Sequence, residues 1–412
     1  MSVATITATK RGFYEKVILS LFTKMNMGTL EITMPSGEFI RLGTGEGNIR
    51  ATIRIKDSSF FKRCVLYGDI GFGEAYMDGI WETDSITNLI SWFLLNVDNA
   101  PTVSGSSVQN VTLNILKIFN KIYHFKRANS VNGSRKNISE HYDLNNDFFA
   151  LFLDPTMTYS SAYFREEAMG LQQAQVEKYD RLCRELHLKP TDHVLEIGTG
   201  WGGNAIYMAK TYGCRVTTAT ISEEQYKLAK ERIEKENLSD KINIVLKDYR
   251  LLEGTFDKIV SIEMLEAVGA EFLDVYFKKC NDLLAKQGIL AIQVITCPDS
   301  RFDSLRTGVD WIQKHIFPGS LLPSVSAINK SVNNTGNMTL VDLKDIGLHY
   351  AKTLAMWREQ FNAQLDGVKQ LGFDERFIRK WNYYLSYCEG AFAMRNINVM
   401  QMVYARPNNT QR

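Results

Sequence analysis

Two short stretches of this 412-residue chain carry residue types that do chemistry. The first is VLEIGTGWGG, residues 194–203, in which an apolar run ends on an acid and four glycines. Gly198, Gly200, Gly202 and Gly203 let a backbone turn tightly and approach a ligand closely, above the start of a helix. The second is VSIEMLEAVG, residues 260–269, where another apolar run gives way within six residues to Glu263 and Glu266. Carboxylates at such a junction either cap the following helix or handle something bound there.

A glycine-rich turn after the first strand of a doubly wound sheet marks nucleotide-type binding at the switch point. The spacing departs from the dinucleotide form GxGxxG. Glu196 stands just before the first glycine, giving the E-x-G-x-G form of an S-adenosylmethionine (SAM) loop, where the acid can hold a cationic amino group. TATISEEQ places Thr220 and Gln225 at the end of the next strand, where ribose hydroxyls would lie, and LKDYR offers Asp248 and Tyr249 to an adenine. Strand ends converging on one crevice imply a SAM-dependent methyltransferase.

The elements that must position these groups are legible as a pattern. From Asp192 onward, strands are expected at His193–Ile197, Arg215–Thr220, Ile242–Leu246, Phe256–Ile262 and Gly288–Ile295, with helices such as Glu223–Glu236 and Phe272–Leu284 between most of them. Short apolar runs alternating with amphipathic helices mean a parallel sheet covered on both faces. The fold class expected is α/β, a Rossmann-like class I SAM methyltransferase sheet with a smaller α+β N-terminal domain. Residues 1–98 form that smaller domain: a helix in Arg11–Met27, a strand–turn–strand in LEITMPSGEFIRL, a strand in ATIRIKD and two helices. Residues 99–138 read as a linker with one basic helix, and 139–412 as the catalytic domain.

Composition bounds the function. Net charge is +2 with 23% charged residues, which excludes a strong nucleic-acid field. No run reaches the roughly 18 apolar residues of a membrane span. The six cysteines, at 64, 183, 214, 280, 297 and 388, show no CxxC pair, so no metal site or disulfide framework is expected and the chain reads as cytoplasmic.

Beyond these motifs, the chain resembles the cyclopropane-fatty-acyl-phospholipid synthases and the mycolic acid cyclopropane synthases. The blocks that carry the resemblance run from about Ile138 to Tyr404. They are HYDLNNDFFALFLDPTMTYSSAYF (141–164), LQQAQVEKYD (171–180), the SAM loop, SEEQ, SIEMLEAVG, HIFPGSLLPS (315–324), GLHYAKTLAMWREQF (347–361) and YLSYCEGAFAMR. The resemblance implies methylene transfer from SAM to the double bond of an unsaturated phospholipid acyl chain, with bicarbonate as base. It implies a bicarbonate pocket of Ser161, Glu266, Gln293, Tyr350 and the backbone of Ile295, and a cysteine at 388 marked as catalytic in some members. It adds Tyr159, Ser160, Ile221 and Ile262 to the SAM contacts. Peripheral attachment to the inner face of a membrane, through the N-terminal domain and the basic linker, follows from the substrate; a homodimer is in keeping with the family.

This chain departs from the common pattern in having serine at 161 for cysteine, glutamine at 293 for histidine, and LEAVG for FEHVG. Neither serine nor glutamine titrates near neutral pH as histidine does. An alkene attacks a sulfonium methyl with its π electrons, so the site must shelter a carbocation with negative charge, aromatic faces and exclusion of water. Tyr159, Tyr163, Phe317, Tyr350 and Trp357 offer such faces. Glu266 is expected to orient the base, and Glu263 to be a solvated or capping residue. Two alternatives stay open: a fatty-acid C-methyltransferase giving a methyl-branched or methylene product, and a catalytically silent lipid- or SAM-binding homologue.

Overall fold

Val194 and Leu195 have no solvent exposure, because the strand that carries them runs through the middle of a sheet with elements packed on both faces. The computed structural model describes residues 11–97, 145–306 and 308–409. They divide into two compact units.

The first unit contains a four-stranded sheet in the order β2-β1-β3-β4, with β1 Thr29–Thr33, β2 Phe39–Leu42, β3 Arg50–Ile55 and β4 Trp81–Glu82. The expected strand–turn–strand is the antiparallel pair β1/β2, with Leu30 opposite Leu42, and ATIRIKD supplies β3, parallel to β1. Helices Phe13–Phe22, Ser59–Met77 and Ile86–Leu95 stand where helical spacing places them.

This unit also takes in 308–316 and 365–396, so the boundary differs from the contiguous division into 1–98 and 139–412. The reason is local chemistry. Glu74, on the helix Ser59–Met77, accepts from Lys314 Nζ at 2.7 Å and contacts His315 Nε2 at 3.0 Å. The Arg379 guanidinium lies 4.1 Å from the Tyr76 ring and donates to the Trp81 carbonyl. Such long-range partners leave no periodic trace. The expected linker and basic helix, residues 99–138, lie outside the described residues.

The second unit holds a seven-stranded sheet in the order β10-β11-β9-β8-β5-β6-β7. Its strands are β5 His193–Ile197, β6 Arg215–Thr220, β7 Ile242–Leu246, β8 Phe256–Ile262, β9 Leu284–Thr296, β10 Thr339–Asp345 and β11 Asn398–Ala405. The five from β5 to β9 are mutually parallel; β11 runs antiparallel to β9 and to β10. Four of the expected strands appear with the bounds read from sequence, and the fifth is longer at both ends. The order reverses at β5, so the carboxyl ends of β5, β6 and β8 open a crevice, the position at which open α/β sheets bind ligands.

Apolar layers close both faces. On one, Tyr276, Phe277 and Cys280 of the helix Leu273–Leu283 pack with Leu195, Ile259 and Ile292; on the other, Leu182 and Cys183 pack with Val194, Val216 and Val260. Each such side chain contributes about 1.5–3 kcal/mol by leaving water.

Candidate active site

The glycine turn beyond β5 has the conformation its composition requires. Gly198, Gly200 and Gly202 have φ of 101°, 52° and 85°, a region that side chains disfavour. The Gly198 and Thr199 N–H groups both donate to the Ala219 carbonyl, at 3.0 and 3.1 Å, which locks the turn to the end of β6. A Cβ built on Gly200 meets nothing within 4 Å, so open space lies over the turn. That is the room a nucleoside-bearing ligand needs, and the residues present fit SAM.

Glu196, expected to hold the amino group of that ligand, is engaged inside the loop. It is 2% exposed and accepts from Asn204 Nδ2 at 2.8 Å and Thr218 Oγ1 at 2.6 Å. Burial pushes its carboxyl up to about 7. A buried acid with both oxygens satisfied braces the turn against β6 and the helix Gly203–Tyr207. Thr220 donates to Gln225 Oε1 at 2.9 Å, and Ile221 follows at the same edge. Asp248 is 3% exposed and forked by Arg250, with Nε at 2.8 Å and Nη2 at 2.7 Å. The fork sets the Tyr249 ring, 5.3 Å from both the Arg250 guanidinium and the Tyr276 ring. Ile262 ends β8.

The second cluster lies where β8 and β9 end. Irregular residues 158–164 pass beside it, and Tyr159 sits with its ring centroid 5.2 Å from those of both Phe149 and Trp357. The helix Gly347–Ala363 pins this segment: Thr353 Oγ1 accepts from the Ala162 N–H and His349 Nδ1 from the Phe164 N–H, both at 3.1 Å. The same helix carries Tyr350, which is 6% exposed and edge-on to Trp357 at 5.9 Å. Ser161 and Gln293 are buried side by side; Gln293 Nε2 donates to the Ser161 carbonyl at 3.2 Å. Glu266 accepts the Ile295 N–H on Oε1, while Oε2 is buried without a hydrogen-bond partner. Burial, and then the charge of Glu263, push Glu266 up to about 8.

Glu263 overturns its expected role as a solvated or capping residue. Its Oε1 accepts from the Ser161 N–H and from Gln293 Nε2, each at 2.8 Å, and the Tyr350 hydroxyl hydrogen-bonds the same carboxylate. Desolvation raises its pKa, and the Lys178 ammonium pulls it the other way. The residue has φ of 48°, so the turn after β8 aims the side chain inward at some conformational cost.

Sequence reading also passed over Lys178. It is fully buried, donates to Ser160 Oγ at 2.7 Å, and desolvation lowers it to about 7. Its signal was available: Ala174, Gln175, Lys178, Tyr179 and Leu182 share the buried face of the helix Leu171–Glu185, and a lysine on such a stripe needs a partner. Gln401 extends the network, donating to Gln293 Oε1 at 2.8 Å and accepting from Arg181 at 2.6 Å. Cys388 belongs to the other unit, on the helix Glu375–Ala393, and burial pushes its thiol well above the ordinary range. An activated thiolate requires the opposite shift.

Residues 129–402 match the family described as Mycolic acid cyclopropane synthetase. The chain is 37% identical over 387 residues to the cyclopropane-fatty-acyl-phospholipid synthase of Escherichia coli, covering 91% of this chain and 96% of that one. It is 38% identical over 352 residues to a tuberculostearic acid methyltransferase of Mycobacterium tuberculosis, covering 84% and 81% respectively. Among solved structures, a mycolic acid cyclopropane synthase complexed with SAH and CTAB superposes with a TM-score of 0.61 at 30% identity, over 66% of this chain and 98% of that one. By the family match over most of its length and the likeness to these enzymes, the chain belongs to the mycolic acid cyclopropane synthetase family, on the class I SAM methyltransferase fold.

Proposed function

We propose that the protein transfers a one-carbon unit from SAM to the double bond of an unsaturated phospholipid acyl chain and closes a cyclopropane ring. Its likeness to the Escherichia coli synthase over nine-tenths of the chain carries this reading. SAM supplies an electrophilic methyl. The chain's own residues do the rest. The glycine turn and the ends of β6 and β7 hold the ligand, while Tyr159, Tyr350 and Trp357 present faces toward which a developing cation is attracted. Glu263 places negative charge nearby, and the apolar packing keeps out water that would trap the cation.

Bicarbonate does not fit the donor set as it stands. The Ile295 N–H is held by Glu266, and Gln293 Nε2 by Glu263 and the Ser161 carbonyl. A further anion beside the Glu263 carboxylate would meet repulsion and few open donors.

Product analysis tests the reading. With trideuteromethyl SAM and an oleoyl phospholipid, the product is expected to retain two deuteriums, and with unlabelled SAM to show the upfield proton signals of a cyclopropane. Three retained deuteriums would establish the methyl-branched alternative, which the likeness to the tuberculostearic acid methyltransferase favours.

We further propose peripheral attachment to membranes through the first unit. No helix among the described residues is long and apolar enough to cross one. Phe13 and Phe39 are 73% and 60% exposed, and the Arg11–Glu38 pair at 2.6 Å brings their neighbours together. Replacing both phenylalanines with glutamate is expected to lower liposome binding at least fivefold without changing SAM affinity; equal binding to anionic vesicles would exclude this face.

A further inference from the structure

We propose that Glu263 is the general base of the reaction, standing in the protein where the resemblance implies a bicarbonate ion. The inference rests on the cyclopropane reading and deepens it. Three groups that the resemblance assigns to the anion pocket, Gln293, Tyr350 and Ser161, are the groups that hold the Glu263 carboxylate. Gln293 donates through its amide and Ser161 through its backbone N–H, both to Oε1 at 2.8 Å. Tyr350 adds a hydroxyl.

The substitutions are mutually consistent. Glutamine at 293 offers an amide donor and cannot titrate, so the cradle needs a base from elsewhere. Serine at 161 turns its hydroxyl to the Ala162 carbonyl at 3.0 Å and leaves only its N–H for the carboxylate. Gln293 cannot rotate freely, because its Oε1 is fixed by Gln401, itself fixed by Arg181. Lys178, buried one residue from Ser161 through its bond to Ser160, offsets the charge of Glu263. The backbone adds an independent observation. Glu263 holds φ of 48° and donates its own N–H to the Gln293 carbonyl at 2.7 Å, so strand pairing keeps a non-glycine residue in a left-handed conformation. Strain of this kind persists where the surrounding structure over-determines it, and it clusters at functional sites.

The step balances. Once the alkene carbon has bonded to the methyl, and the methyl's bond to sulfur has broken with its electron pair left on the thioether, the neighbouring carbon is cationic. Glu263 takes a proton from that methyl; the C–H pair becomes the second ring bond and quenches the cation. The carboxyl group then returns the proton to solvent. Glu266 sits beside it as the protonated partner below about pH 8, held by the Ile295 N–H.

The test is bicarbonate dependence, measured on product formed from an oleoyl phospholipid in carbon-dioxide-free buffer. The native enzyme is expected to turn over within about twofold of its rate with added bicarbonate. Glu263→Gly, which suits the left-handed backbone, is expected to lose at least 100-fold while binding SAM normally, in the range that general bases supply. Millimolar bicarbonate should restore part of that loss, because the vacated donors remain. Native turnover that requires bicarbonate would overturn the inference, as would a Glu263→Gly enzyme of native activity without it. Absence of cyclopropane from the native enzyme at every bicarbonate concentration would overturn the lipid reading and this inference together.

Discussion

Truncating Glu266 to alanine is expected to reduce turnover by about 10²- to 10³-fold, the range for deleting one preorganised polar group at a reacting centre. SAM affinity should stay within about twofold, because the glycine turn is built from other elements. The carboxyl group bridges the turn after β8 to the end of β9 through the Ile295 N–H. Alanine leaves that buried N–H unpaired and opens a void beside the carbocation into which water can enter. Glu266→Gln keeps the acceptor and is neutral, as the native side chain is below about pH 8. It should therefore retain activity within about tenfold at pH 7. Turnover at native level for the alanine variant would remove Glu266 from the site.

The same pair reports on stability, and the sign follows from proton counting. The Glu266 pKa rises from 4.5 unfolded to about 8 folded. Between those values the folded chain binds the extra proton, so stability falls as pH rises through the window. Glu266→Gln is expected to melt above the native protein at pH 8, by a few degrees or more, and no higher at pH 4. Thermal unfolding at the two pH values measures it.

Gly198→Val is expected to weaken SAM binding by about 10- to 100-fold, equivalent to about 1.4–2.8 kcal/mol. At φ of 101° a β-branched residue is strained wherever it points, and its Cβ would lie 3.4 Å from the Met264 side chain. Relief requires the turn to rotate, which pulls the Gly198 N–H away from the Ala219 carbonyl and disturbs the surface on which the ligand lies. The sheet should survive, because β5 ends before the turn. Calorimetric titration with SAM checks this; unchanged affinity would move the ligand away from the turn.

What could be read without coordinates was whatever repeats or sits close in sequence. Alternating apolar runs and helices fixed β5 to β8 with their observed bounds, since burial on both faces imposes continuous apolar strands. Four glycines in six residues declared the turn, because the backbone conformation there admits little else. Ordered blocks of residues identified the family and named Ser161, Glu266, Gln293 and Tyr350 as neighbours.

Tertiary structure alone decided how those neighbours are charged and whom they hold. Glu263 and Ser161 are 102 positions apart, and Gln293 and Gln401 108, yet each pair is hydrogen-bonded. Nothing local distinguishes a carboxylate that caps a helix from one gripped by three distant donors. Burial leaves the Lys178 ammonium bonded to Ser160 and in the fields of Glu263 and Asp154. Segments 308–316 and 365–396 joined the first unit through ion pairs and ring contacts that no periodicity encodes. Desolvation is a property of the packed chain, so the protonation of a buried acid or amine is set only when the distant elements close around it.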